Sequence, residues 1–398
     1  MIAGRPALAL AAAAALGGCW TGDVKAPAEP PRKPDRLDAK PGRCSDGGDE
    51  AQLVALSCRD MRHSRMQRAR SGALAVALDR GRLLAIGGDG DGAAATAEMF
   101  DPATGWSPVG MPAVFEGIDW AATRLVAHGR DAYFVTASTL REIRVARFDA
   151  ERREWVAQSP PLDGRDNGTI PHVGAAMLAD GSLLVASTDR AALYTNGIWR
   201  RLRDLPAAPK RFVRWIAPLA GGDALVDGVL RFDRRRAAWV DVSASASRRV
   251  QRGSYAPVAL EDGRVALVGG CSDGGECWGN PEIDVFDRGG DAYTTTRALL
   301  EREHAVGAQG ISLPGARVMM TSDFGGGRNI EHCRVPTDPA LASCRCGACS
   351  VPERSNFTVV AGEGECMLVL GGTTPHGPTD EVLRYCWSDS PLPAIRTP

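Results

Sequence analysis

Short apolar runs recur along most of the chain: Leu83-Leu84-Ala85-Ile86, Tyr133-Phe134-Val135, Leu183-Leu184-Val185, Ala224-Leu225-Val226, Val265-Ala266-Leu267-Val268, Val318-Met319-Met320 and Met367-Leu368-Val369-Leu370. Each is short and continuously apolar rather than alternating. That pattern predicts a strand covered on both faces. The runs stand roughly 40–50 residues apart, with room for further short strands between them, which is the spacing of propeller blades. The expected fold class is therefore all-β, a seven-bladed β-propeller.

The first copy carries the fullest motif. A turn at Asp79-Arg80-Gly81 precedes the apolar run, Gly87-Gly88 ends it, and Ala97-Glu98-Met99-Phe100-Asp101-Pro102 and Gly105-Trp106 follow. The fifth copy repeats it with Glu261-Asp262-Gly263, Gly269-Gly270 and Val285-Phe286-Asp287, and the seventh keeps Gly371-Gly372. Copies two, three and six put Thr136-Ala137, Ala186-Ser187 and Thr321-Ser322 in place of the glycine pair. A strand ended by two glycines, then a loop, an aromatic-Asp and a Trp, resembles the kelch repeat, over residues ~50–398. The resemblance implies four-stranded antiparallel blades.

A second aromatic follows the first at a similar distance in successive copies: Phe100 and Trp106, Phe148 and Trp155, Tyr194 and Trp199, Phe232 and Trp239, Phe286 and Tyr293, with Trp387 beside Tyr385 in the last. Such recurrence points to packing between blades rather than to ligand stacking. A ring of blades must also close, because an open one leaves two unpaired edges. The apolar stretch at residues 51–58 is expected to complete the last blade.

The N-terminus carries an address. Arg5 precedes an apolar segment from Ala7 to Leu16 that is too short to span a bilayer. Leu16-Gly17-Gly18-Cys19 resembles the bacterial lipobox, which implies a signal peptide over 1–18 and a lipid on Cys19. Residues 19–43 hold Pro27, Pro30, Pro31, Pro34 and Pro41 among mixed charges and read as an extended tether. The propeller is then residues 44–398. Trp20 rather than Asp follows the cysteine, which by the enterobacterial sorting pattern implies the outer membrane.

Composition narrows the function classes. With 44% hydrophobic and 24% charged residues, the chain is neither wholly disordered nor a polytopic membrane protein. A net charge of −1 argues against a nucleic-acid binder that works by bulk charge. Eleven cysteines leave an even number once Cys19 is set aside, which beyond the cytoplasm suggests disulfides. The candidates are Cys44 and Cys58 at the start of the domain, Cys271 and Cys277 in one loop, Cys366 and Cys386 on two strands of copy seven, and the cluster Cys333, Cys344, Cys346 and Cys349. That cluster also raises zinc, but its Cys344-Arg345-Cys346 spacing is awkward for a tetrahedral site. No metal or cofactor is expected.

Candidate ligand residues come from one repeat position, near the start of each blade's inner strand: Arg70, Asp119, Arg211, Arg252, His304 and Arg354, with His172 two residues further along in copy three. Two readings stand. These arginines hold blades together through bonds to carbonyls, or they converge on the channel mouth and attract an anion. Asp89-Gly90-Asp91-Gly92 and Arg234-Arg235-Arg236 read as a solvated turn and a solvated hairpin tip. The copper chemistry of galactose oxidase, which resembles kelch proteins in its repeats, finds no matching His/Tyr set. The sialidase box appears once, broken, around Cys271 to Trp278.

The function expected is a lipid-anchored, extracytoplasmic, monomeric binding or scaffold module without catalysis, acting on a protein or an envelope glycan through its loops. The alternative is a sugar-active enzyme resembling sialic-acid mutarotases, with Glu116, Asp119, His172 and Arg252 as candidate acid–base groups.

Overall fold

A computed structural model describes residues 62–90, 96–111, 118–138, 142–158, 160, 162, 172–188, 190–206, 213–246, 255–269, 282–296, 308–321, 329–338, 342–351 and 354–386. These form seven antiparallel sheets, a seven-bladed β-propeller. Blade 1 comprises Leu74–Ala77, Leu83–Ile86, Ala97–Asp101 and Gly105–Val109, from the inside outwards. Blade 2 is Ile118–His128, Asp131–Ser138, Ile143–Asp149 and Glu154–Gln158; blade 3 is Val173–Met177, Leu183–Ser187, Ala191–Thr195 and Ile198–Arg201. Blade 4 is Ile216–Pro218, Ala224–Val226, Leu230–Asp233 and Ala238–Asp241; blade 5 is Ala256–Ala259, Val265–Val268, Asp284–Asp287 and Ala292–Thr295. Blade 6 is Gln309–Leu313, Arg317–Thr321, Asn329–Arg334 and Ser343–Ser350. Blade 7 is Thr358–Gly362, Cys366–Leu370, Gly377–Cys386 and, outermost, Arg62–Arg70. Neighbouring inner strands touch in cyclic order, and that of blade 7 meets that of blade 1.

The second strand of each blade explains the apolar runs. In blade 1, Leu83 and Ala85 point into a cluster shared with blade 7, while Leu84 and Ile86 point into one shared with blade 2. In blade 3, Leu183 and Val185 face blade 2, and Leu184 and Ala186 face blade 4. Successive side chains of a strand leave on opposite faces. A strand feeding two cores at once must therefore be apolar at every position. Each hydrophobic cluster lies at a junction between two blades, and no cluster lies within one blade alone.

The aromatic pairs stand directly opposite each other on the third and fourth strands. Phe100 faces Trp106, Phe148 faces Trp155, Tyr194 faces Trp199, Phe232 faces Trp239 and Phe286 faces Tyr293. Ring centroids are 4.9–5.5 Å apart, within the range where aromatic pairs attract. In blades 2, 4 and 5 the polar end of the outer ring reaches back to the preceding blade, whereas Trp199 Nε1 in blade 3 is buried without a partner among the described residues. Trp155 Nε1 donates to the Gly110 carbonyl (2.6 Å), Trp239 Nε1 to that of Arg203 (2.9 Å) and Tyr293 Oη to that of Gly228 (2.7 Å). Trp106 Nε1 donates to Ser64 Oγ at 2.9 Å, which ties blade 1 to the closing strand.

The ring closes through an N-terminal strand. The outer strand of blade 7 is Arg62–Arg70, whereas 51–58 lies outside the described residues. The strand Arg-His-Ser-Arg-Met-Gln-Arg-Ala-Arg has little apolar signal because it lies on the rim. It lends one large apolar side chain, Met66, to the cluster between blades 7 and 1. Most of its hold is polar. It pairs antiparallel with Gly377–Cys386. The buried carboxylate of Glu98, in blade 1, accepts the backbone N–H groups of Gln67 (2.5 Å) and Arg68 (3.2 Å). The Arg70 guanidinium, fully buried, closes on the same carboxylate through Nη2 at 2.8 Å and Nε at 3.2 Å.

Two disulfides cross neighbouring strands. Cys333 joins Cys344 in blade 6, and Cys366 joins Cys386 in blade 7. The first pair resolves half of the four-cysteine cluster as a cross-link, leaving those two sulfurs unable to act as thiolate ligands. The side chains of Cys346 and Cys349, and the whole of Cys44, Cys58, Cys271 and Cys277, lie outside the described residues.

The first glycine of the pair in blade 1 has a steric reason. Gly87 has φ 67°, and a Cβ there would sit 2.2 Å from the Trp120 ring of blade 2. Gly371 in blade 7 has φ 61°, with the Arg70 carbonyl 2.3 Å from where a Cβ would be. The glycine pair lets a neighbouring element press on the strand end.

Glu98→Ala removes the carboxylate that Arg70 closes on and strips its acceptor from the N–H groups of Gln67 and Arg68. The expected loss is about 3–5 kcal/mol, as for a broken buried ion pair, measured by denaturant titration. Glu98→Gln should lose less. A loss below about 1 kcal/mol for Glu98→Ala would show that the closing strand holds without this clamp.

Candidate functional site

Arg70 and Arg354 occupy equivalent places, and the structure turns both inward. Arg70 Nη1 donates to the carbonyls of Gly87 (2.6 Å) and Thr96 (3.1 Å). Arg354 Nη1 donates to the carbonyl of Gly371 (3.0 Å), and its Nη2 to Glu381 Oε2 (3.1 Å). Both side chains are buried. A guanidinium that spends its donors on carbonyls at the end of a strand stabilises that strand end and has little left for a ligand. His172 lies half-buried just ahead of the inner strand of blade 3. Asp119 lies in the inner strand of blade 2, with its side chain outside the described set. Cys19, Glu116, Arg211, Arg252 and His304 lie outside the described residues, as do Asp91 and Trp278.

A charged pair on the channel side was not singled out from the sequence. Arg124 projects from the inner strand of blade 2 and donates through Nη2 (2.6 Å) and Nε (2.9 Å) to the carbonyl of Arg214, at the start of blade 4. The bond skips blade 3, so it runs as a chord across the ring. Facing it, Asp227 leaves the second strand of blade 4 at φ 47°, where blades 1, 5 and 7 use glycine. Asp227 Oδ1 accepts the backbone N–H groups of Arg214 (2.9 Å) and Trp215 (3.1 Å). Its Oδ2 is enclosed and has no hydrogen-bond partner among the described residues. Burial drives the Asp227 carboxyl up to about 6; the two backbone bonds and the charges of Arg214 and Arg124 pull the other way. The sequence signal was a charge inside the otherwise apolar strand Trp120-Ala121-Ala122-Thr123-Arg124-Leu125-Val126.

An open concavity lies elsewhere, where the strand hairpins of blades 4 and 5 meet. It encloses about 490 Å³ and is lined mainly by Arg231, Asp233, Arg235, Arg236, Arg264 and Arg288. The floor is an ion-pair lattice. Asp223, fully buried, accepts from Arg231 Nη1 (2.7 Å), Arg288 Nε (2.6 Å) and the backbone N–H of Arg234 (3.0 Å). Arg231 also pairs with Asp291 at 2.6 Å. Arg264 is held by Asp262 (2.6 Å) and by the carbonyls of Val335 (2.5 Å) and Pro336 (3.0 Å) of blade 6.

The tri-arginine run splits accordingly. Arg234 turns to blade 3 and pairs with Asp180 at 3.0 Å. Arg235 and Arg236 stay exposed on the pocket wall. The N–H of Arg236 bonds Asp233 Oδ1 (3.0 Å) and, foremost among several causes, holds that carboxyl below the usual carboxylate range.

No family model matches the chain, and no curated protein matches it by sequence. Solved structures do. The chain is similar to a streptogramin B lyase, with TM-score 0.55 and 10% identity over 81% of this chain and 96% of that one. It is similar to YCF48 bound to a D1 peptide, with TM-score 0.51 and 14% identity over 86% and 100%. It is also similar to the RRP9 WD40 repeats, with TM-score 0.51 and 9% identity over 85% and 99%. Likeness at this identity shows the fold.

The raised Asp227 carboxyl sets a pH dependence. Between about pH 4 and 6 the folded chain holds a proton that the unfolded chain, at 3.8, has released. Stability therefore falls as pH rises through that window and stays at the lower level above it. The full shift corresponds to at most about 3 kcal/mol, less because the side chain is only half-buried. Asp227→Asn keeps the acceptor, tolerates the positive φ and carries no charge. It should raise Tm at pH 7.5 and flatten the slope between pH 4 and 6. An unchanged slope would assign the pH dependence to other groups.

Proposed function

We propose that this chain is a kelch-type, lipid-anchored extracytoplasmic propeller whose role is to bind a protein partner through the exposed ends of its blades. One observation carries the reading. The two described arginines of the expected channel-mouth set are consumed inside the fold, while the open concavity sits among hairpins at a blade junction. The aromatic pairs are likewise engaged between strands, which leaves few rings to stack on a sugar. A propeller of similar shape, YCF48, is bound to a peptide. Rigid blades suit partner recognition, because they hold the connecting segments in place and need little ordering themselves on binding. The lipobox-like Leu16 to Cys19 and the proline-rich segment behind it support anchoring at a membrane surface.

Two measurements test this. Cys19→Ala should abolish labelling by a radioactive fatty acid and move the chain from the membrane fraction to the soluble one; retained labelling would refute the anchor. A photo-cross-linking residue at exposed Ile198, on a hairpin of blade 3, or at exposed His376, on a loop of blade 7, should trap a discrete protein adduct in cells. No protein adduct at either position would refute the binding role.

A further inference from the structure

The pocket between blades 4 and 5 is built in two layers. In the lower layer every guanidinium is committed. Arg231 spends its fork on Asp223 and Asp291, and Arg264 spends its own on Asp262 and two blade 6 carbonyls. In the upper layer three guanidiniums have donors to spare. Arg288 is held through Nε by Asp223, which leaves Nη1 and Nη2 without an acceptor among the described residues. Arg235 has no side-chain partner there, and the nearest carboxylate to Arg236 is Asp233 at 4.0 Å, beyond hydrogen-bond reach. Against these three stand two lining carboxylates: Asp287, whose Oδ1 accepts the N–H of Gly289 (2.8 Å), and Asp233, whose Oδ2 lies 3.6 Å from Arg231 and 4.0 Å from Arg236. The buried lattice fixes where the open donors stand. Asp223 orients Arg288, and Asp233 shapes the turn that presents Arg235 and Arg236.

We propose that this pocket captures an acidic segment of the protein partner, with side-chain or terminal carboxylates seated on Arg235, Arg236 and Arg288. The guanidinium fork matches a carboxylate in two parallel hydrogen bonds. The three cations come from hairpins of two blades across a cavity of about 490 Å³, which suits several separated single charges better than one compact dianion. Asp287 on the same wall further disfavours a dianion. The inference rests on the protein-binding role above, and names the chemistry of one face of it.

The test uses a fluorescent hexaglutamate peptide, a hexaglutamine control and inorganic phosphate as competitor, with the full chain at 50 mM salt. The glutamate peptide should bind and the glutamine peptide should not, and binding should weaken as salt screens the charges. Arg235→Ala with Arg236→Ala removes two exposed, uncommitted side chains, so Tm should hold while peptide affinity drops about tenfold or more. Asp287→Asn should tighten binding. Equal binding of the two peptides, or an unchanged affinity in the double variant, would overturn the proposal. Phosphate binding without peptide binding would overturn it in favour of a small-anion site. If the glutamate peptide fails while cross-links still form from Ile198 or His376, the acidic ligand is wrong and the binding role stands.

Discussion

The carboxylate of Glu98 belongs to blade 1 but holds the backbone of a strand that hydrogen-bonds into blade 7. Everything else in the ring depends on that junction. Among the described residues there is no central hydrophobic mass to collapse upon. The apolar side chains are distributed over interfaces, each needing two blades to exist. If blade 7 and blade 1 part, the cluster containing Met66, Phe100, Trp106 and Leu370 opens to water. Two lone charges, Arg70 and Glu98, are left in the gap. The last interface thus adds a buried carboxylate clamp on the closing strand to the apolar burial that every blade junction shares.

Much of this was legible in the sequence, for reasons that can be named. A strand wedged between two neighbours has no polar face, so Leu83 to Ile86 and Val265 to Val268 announce themselves. The facing aromatics show through because their spacing is set by tight hairpins of two to four residues. The closing strand Arg62–Arg70 was not legible because an edge strand held mostly by its backbone and by one carboxylate needs almost no apolar sequence.

The site was less legible. Arginine looks the same in sequence whether it is spent or free. Arg70 and Arg354 resembled a ligand-binding set and are internal ties. Arg234, Arg235 and Arg236 looked alike as a solvated tip, and they divide because successive residues of a turn face different neighbours. Asp227 was hidden because its meaning lies in a positive φ and in an enclosed oxygen, neither of which composition encodes.

The position of the closing strand has a mechanical consequence. Among the described residues, a pull that arrives along the chain at Arg62 enters the propeller through this strand. The pairs would part in sequence, Arg62 from Leu383, Ser64 from Val382, Arg65 from Glu381, like a zip opened from one end. The strongest point, Arg70 on Glu98, is met last. Behind it, Gly377–Cys386 is covalently stapled to its neighbour through Cys386 and Cys366. A tug is therefore taken first by the rim strand, whose loss opens the junction of blades 7 and 1 even while the strands beneath stay fastened.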